Sequence, residues 1–295
     1  MKRLILFIAS AFVIWSCEKP ESVSTNTTEL SKSSSAKVAA TGAWVRDFTE
    51  DFSNSTFSQW TKTNRKDYNS AYCQYDPTVP LVATVDGLSS LVLTATTTGY
   101  RAYKSGHIKS NYSFKPANNY EYKVTSAIKL VATQSGVYKS FSSTYGAWPS
   151  IWMVDESVWP THGEIDIMEG YSFAGTTNFT SNVFYGTSVG NDQVKNAYVT
   201  KYPASFSSAG WHKYECYWKN LNNVVTVSTF IDGVLVKTFT TTSICNLNNF
   251  GPHNLILNLN VASDAAYNIF DINKINLLTN TQMWVDYVTV DKRTL

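Results

Sequence analysis

Tyr120-Glu121-Tyr122-Lys123-Val124-Thr125-Ser126-Ala127-Ile128-Lys129-Leu130-Val131 is the stretch that decides the fold class. Tyr120, Tyr122, Val124, Ile128 and Leu130 fall on one face of an extended chain, while Glu121, Lys123, Thr125 and Lys129 fall on the other. A period of two over this length predicts a half-buried strand; a helix would repeat its apolar residues every three or four. Working outward, Val224 to Ile231 is β-branched, reaches Asp232-Gly233 and resumes with Val234, Leu235 and Val236. Leu81 to Thr97 carries a similar break at Asp86-Gly87. Both read as hairpins. Asn254 to Asn260 interleaves Leu255, Leu257 and Leu259 with Asn254, Asn258 and Asn260, a strand whose polar face suits a groove better than a core. Met283 to Val290 reads as one more strand. No helical stripe of three turns and no internal repeat is found. Many strands with Gly, Pro and Asn turns predict an all-β domain, a two-sheet sandwich or jelly roll.

The rest of the chain divides by composition. Lys2 and Arg3 precede an apolar run from Leu4 to Trp15, followed by Ser16-Cys17. That is the layout of an export signal, and the run is short of the ~20 residues that span a bilayer. Ile14-Trp15-Ser16-Cys17 resembles a bacterial lipobox, so residues 1–17 are read as a lipoprotein signal ending at a lipidated Cys17. The alternative is an ordinary signal peptide that ends near a cysteine. Residues 18–42 are Ser/Thr-rich, without an aromatic residue or a sustained period, and read as a flexible tether. Residues 43–295 form the folded domain. The expected location is the bacterial outer membrane, held through the N-terminal lipid only, on the surface or periplasmic face.

A formal net charge of +2 gives no electrostatic case for nucleic acid. With Cys17 assigned to the anchor, Cys73, Cys216 and Cys245 are an odd set without metal-like spacing, compatible with one disulfide and one free thiol. Nine Trp, 18 Tyr and 15 Phe exceed the usual needs of a core. Such a surplus fits a sugar-binding cleft, where ring faces pack on pyranose C–H groups.

Chemistry concentrates in His162-Gly163-Glu164-Ile165-Asp166-Ile167-Met168-Glu169-Gly170. In a regular strand Glu164 and Asp166 face one way and Glu169 the other. One extra residue in a β-bulge at Ile167-Met168 would return all three acids to one face. Clustered carboxylates repel, and a carboxyl then keeps its proton at neutral pH. Retaining glycosidases need such a pair, one group to attack and one to donate a proton, about 5–5.5 Å apart. The competing readings are a solvated acidic strand face and a calcium site. Ile and Met between the acids speak against the first.

The segment resembles the Glu-x-Asp-x-x-Glu signature of family 16 glycoside hydrolases. Gly146-Ala147-Trp148-Pro149-Ser150-Ile151-Trp152-Met153 is similar to the family's Trp-Pro-Ala-Phe/Ile-Trp segment, and Ser105-Gly106-His107-Ile108-Lys109-Ser110 to its Ser-Gly-Arg-Ile segment. Gly210-Trp211-His212-Lys213-Tyr214, Ile231-Asp232-Gly233 and Trp284-Val285-Asp286-Tyr287-Val288 fit further landmarks. The resemblance implies a β-jelly roll with a cleft across its concave sheet. It also implies Glu164 as nucleophile, Glu169 as acid/base and Asp166 hydrogen-bonded to the nucleophile, with no cofactor for the chemistry. Some family members hold a structural calcium through an aspartate at the position of Asp286; otherwise Asp286 ends a strand network. Trp148, Trp152 and Trp159 are the expected sugar platforms, two of the three lining the cleft, and His162 a cleft hydrogen-bonder.

The expected partner is a polysaccharide, cut by a monomer. Trp159-Pro160-Thr161-His162-Gly163-Glu164 resembles the endo-1,3(4)-β-glucanase branch, so β-1,3- or mixed-linkage glucan is the first expectation. Phe184, where glucanases usually carry histidine before Tyr-Gly, points to a galactan (agar, porphyran or carrageenan) as the alternative. A non-catalytic sugar-binding protein on the same fold is the second class of function.

Overall fold

The computed structural model describes residues 41–187, 196–243, 245–265 and 267–295. The leader, Cys17 and the tether up to residue 40 lie outside them. Among the described residues, strands assemble into a sheet of twelve and a sheet of seven, almost entirely antiparallel. Helix is confined to short 3-10 turns. The architecture is the all-β two-sheet jelly roll.

The strand Tyr120–Gln134 lies at the centre of the larger sheet, between Trp211–Leu221 and Asn280–Thr294. Val124, Ile128 and Leu130 point into the core as the alternation requires. Its first pair departs from the pattern: Tyr120 is exposed and Glu121 buried. Glu121 is not inside the sandwich; it lies on the outer face, where Arg293 Nε donates to it at 2.7 Å. An ion pair, not apolar packing, removes that carboxylate from water. Both hairpin turns place their aspartate and glycine at positive φ (Asp86 50° and Gly87 82°, Asp232 48° and Gly233 79°), the type I′ geometry that follows the strand twist.

The smaller sheet runs in the order Asn196–Lys201, Thr177–Tyr185, Glu164–Ser172, Ala147–Val154, His253–Val261, His107–Phe114, Trp60–Lys62. Ile151, Met153, Ile165, Leu255, Leu257 and Leu259 face inward and meet Leu91, Leu93, Met283 and Val285 from the larger sheet. The opposite side chains of these central strands, including the three acids and the asparagines, therefore share the outer face.

One expectation fails here. Cys73, Cys216 and Cys245 are all free and buried, so no disulfide forms among them; each is packed as a small hydrophobe, and burial pushes its thiol pKa up. Asp286 lies where the ladder to the strand Leu88–Gly99 stops, at Val285. It sits within Asn280–Thr294, at a register shift between Val285 and Tyr287. Burial and the neighbouring Asp51 charge raise its pKa. Among the described residues no group of three or more His, Cys, Asp and Glu gathers to hold a metal.

Candidate active site

The acids stand on the strand Glu164–Ser172, between Ala147–Val154 and Thr177–Tyr185. Gly163 opens it at φ +73°, with a Cβ position only 2.3 Å from the Phe250 ring, so the turn into Glu164 admits glycine alone. Across the strand Thr177–Tyr185, Asp166 is opposite Asn182 and Glu169 opposite Thr180. Ile167 and Met168 together face the single residue Ser181, and both side chains are fully buried in the core. Two successive inward residues are what turn Glu169 back to the side of Glu164 and Asp166.

Such a register shift breaks the ladder, and buried carbonyls need other donors. Ser181 Oγ donates to the Asp166 carbonyl at 2.9 Å and the Tyr202 hydroxyl to the Ile167 carbonyl at 2.8 Å. Ser181 Oγ also bonds Thr229 Oγ1 of the opposite sheet at 2.8 Å. The irregular segment is thus held from inside the sandwich.

Each acid has its own surroundings. Glu169 Oε1 accepts from Trp148 Nε1 at 2.9 Å, and Oε2 from Asn182 Nδ2. Burial pushes its pKa up to about 7, although the donors Trp148, Tyr171, Asn182 and Thr180 all favour the ionised form. Burial and then the Glu169 charge push Glu164 up to about 8; donors on Trp159 and Asp166 oppose this. Asp166, buried between the two, is raised well above the carboxylate range by burial and both neighbouring charges. Its Oδ2 and Asn182 Oδ1 are buried acceptors without a donor. A proton on Asp166 gives it the O–H that its neighbours need.

The tryptophans divide. Trp148 is 5 % exposed, with its ring 5.2 Å from Tyr171, so it orients Glu169 and is not an open sugar platform. Trp152 and Trp159 are half-buried. Trp152 Nε1 donates to Asn258 Oδ1 at 2.7 Å, Asn258 Nδ2 to the Tyr75 hydroxyl at 3.0 Å, and Tyr75 to Asp67 at 2.5 Å, where Asn260 also donates. Trp159 acts on the charge of Glu164 without closing a hydrogen bond. His162 is not among the acids. It precedes the strand, beyond Gly163; its Nδ1 pairs with Asp155 at 2.9 Å and its ring fills the space beside Gly251. The rotation at Gly163 removes the same-face relation that regular alternation would give.

Sequence reading passed over Tyr171 and Asn182 as site residues. Tyr171, two beyond Glu169, was within reach of the alternation rule; Asn182 required the strand pairing. A cluster on one flank was also missed: Glu156 accepts from Arg65 at 3.0 Å, Lys109 at 3.0 Å and the Tyr68 hydroxyl at 3.1 Å.

With this geometry in view, residues 137–223, which contain all three acids, match the family model described as XgeA-like, catalytic GH16 domain. The match is to a catalytic domain of glycoside hydrolase family 16. A keratan-sulfate endo-1,4-beta-galactosidase of Sphingobacterium multivorum is 26% identical over 235 residues, 73% of this chain and 50% of that protein. The chain spans about half the length of that curated relative. Among solved structures, a Bacteroides ovatus mixed linkage glucan GH16 protein in complex with a G4G4G3G product is 26% identical at a TM-score of 0.66, covering 82% of this chain and 99% of that one. The endo-1,3-beta-glucanase of Streptomyces sioyaensis has the same fold at a TM-score of 0.66 and 20% identity, over 84% of this chain and 96% of its own.

Proposed function

We propose that the protein is a retaining, endo-acting glycoside hydrolase. The observation that carries this is the pair of inward residues, Ile167 and Met168, which brings Glu164, Asp166 and Glu169 onto one face. In the reaction, Glu164 attacks the anomeric carbon while Glu169 gives its proton to the leaving glycosidic oxygen. Glu169, now ionised, takes a proton from water as that water displaces Glu164 and frees the sugar. Trp148 and Asn182 hold Glu169 through both steps, and protonated Asp166 stabilises the Glu164 carboxylate.

The first substrate reading is β-1,3- or mixed-linkage β-1,3(4)-glucan. It rests on the mixed-linkage relative and on Trp159-Pro160 before Gly163-Glu164-Ile165-Asp166-Ile167. A galactan, including a sulfated one, is the second. Phe184 stands directly opposite Glu164 in place of the expected histidine. Arg65 and Lys109 share the single carboxylate of Glu156, which leaves a surplus positive charge on the flank, and the curated relative acts on keratan sulfate. Reducing-end release from laminarin, mixed-linkage glucan, agarose, carrageenan and keratan sulfate separates the two. Release from none of them by an enzyme that still binds one would establish a sugar-binding protein instead. Outer-membrane anchoring through Cys17 belongs to the same reading; loss of fatty-acid labelling in Cys17→Ala is its test.

A further inference from the structure

A second recess lies on the outer face of the twelve-stranded sheet, on the far side of the sandwich from the acids. Its floor is Trp284, which with Val92 and Val131 forms an apolar cluster separate from the main core. Tyr138 stands beside it, 64% exposed, edge-on to Trp284 at 5.5 Å. Lys129 Nζ lies 5.3 Å over the Trp284 ring and donates to Asp86 Oδ2 at 2.6 Å. The indole N–H of Trp211 donates to that same oxygen at 3.1 Å, leaving Oδ1 to a ligand. The recess encloses about 220 Å³, and Lys139 and Ser208 also line it.

The lining selects a ligand class. One carboxylate, Asp86, faces two lysines of the lining, Lys129 and Lys139, so the recess repels no anionic sugar and its selection lies in shape and hydroxyl contacts. An aromatic side chain standing in water beside fixed polar groups suits a body with one apolar face and a rim of hydroxyls. The volume is below the ~300–1,000 Å³ of pockets that enclose a drug-sized molecule, which limits the occupant to about one ring. We propose that this recess binds a single sugar residue of the polysaccharide on which the cleft acts: the C–H face against Tyr138, the hydroxyls to Asp86 Oδ1 and Lys129. The identity of that polymer rests on the functional reading above. A second grip on one chain raises the effective concentration of polymer at the cleft without altering the chemistry.

The test uses the whole protein, with Glu164→Gln as a non-hydrolysing background. Retention is measured in that background by affinity electrophoresis in gels containing each of the five polymers, and turnover on a short soluble oligosaccharide in the enzyme with Glu164 intact. Tyr138→Ala should weaken retention by roughly fivefold, the scale of one ring contact. Tyr138→Trp should restore it, and neither should change kcat or KM on the oligosaccharide. Retention unchanged in both Tyr138→Ala and Asp86→Ala would overturn the proposal, as would retention by none of the polymers. Should Tyr138→Ala weaken retention while the unsubstituted enzyme cuts none of them, the recess stands and the hydrolase reading fails.

Discussion

The indole of Trp148 is hydrogen-bonded to the carboxylate of Glu169 at 2.9 Å. The donor sits on the neighbouring strand, one residue from Pro149, and is held by burial and by Tyr171. That burial leaves little of the ring face open, while its N–H is committed to Glu169.

Removing that N–H should raise the pKa of Glu169. In Trp148→Phe the alkaline limb of kcat/KM, set by loss of the Glu169 proton near pH 7, is expected to move upward by about one unit, the worth of one charge-assisted hydrogen bond. A profile that keeps its limb and loses only amplitude would assign Trp148 to substrate binding.

Asp166 is expected to act as a hydrogen-bond donor to Glu164. Asp166→Asn keeps an N–H donor and should retain more activity than Asp166→Leu, which has none. Without the donor the Glu164 pKa rises further, so the acid limb in Asp166→Leu shifts to higher pH. Equal profiles for the two variants would show that Asp166 acts through charge alone.

Stability should follow the buried acids with a definite sign. Glu164 is raised from 4.5 to about 8, so its protonated form is the one the fold favours. Its contribution is fully present below the unfolded pKa and is lost as pH rises through the folded one. Glu164→Gln is isosteric and does not titrate. Its melting temperature should therefore gain on the parent between pH 5 and pH 8.5; one pKa unit, ~1.4 kcal/mol, is about 3–5 °C in a domain of this size. A constant difference across that range would show that Glu164 titrates alike in both states.

Tyr202→Phe deletes the donor to the Ile167 carbonyl and leaves a buried acceptor unmet. The expected loss is about 1–3 kcal/mol, read as a lower denaturant midpoint, with activity falling in step as Glu169 loses its fixed direction. An unchanged midpoint would mean that the irregular segment does not need this support.

Much of this was legible in the chain. Strand alternation gave Val124, Ile128 and Leu130 their inward faces, and Asp-Gly pairs gave the hairpins, because both rest on local rules of period and turn geometry. The acids could be read as a cluster because spacing alone exposed the misfit of Glu169. What stayed hidden required partners far along the chain. Glu121 is buried through Arg293, Trp148 reaches across to Glu169, and Ser181 and Tyr202 meet carbonyls whose exposure only the strand pairing reveals. His162 was misplaced for a local reason, the single positive-φ residue between it and Glu164.

Two inward residues in a row also set a rule of exchange between length and volume. Ile167 and Met168 load one position of the core twice, and the residue facing them, Ser181, is among the smallest side chains available. A relative whose acid motif were one residue shorter would lose a whole side chain from that layer, and a gap of that size is expensive in a close-packed interior. Such a relative would be expected to carry a larger residue at the position of Ser181, or at that of Thr229 behind it. In the evolution of this sheet, an insertion on one strand and a shrinkage on its neighbour are therefore expected to travel together.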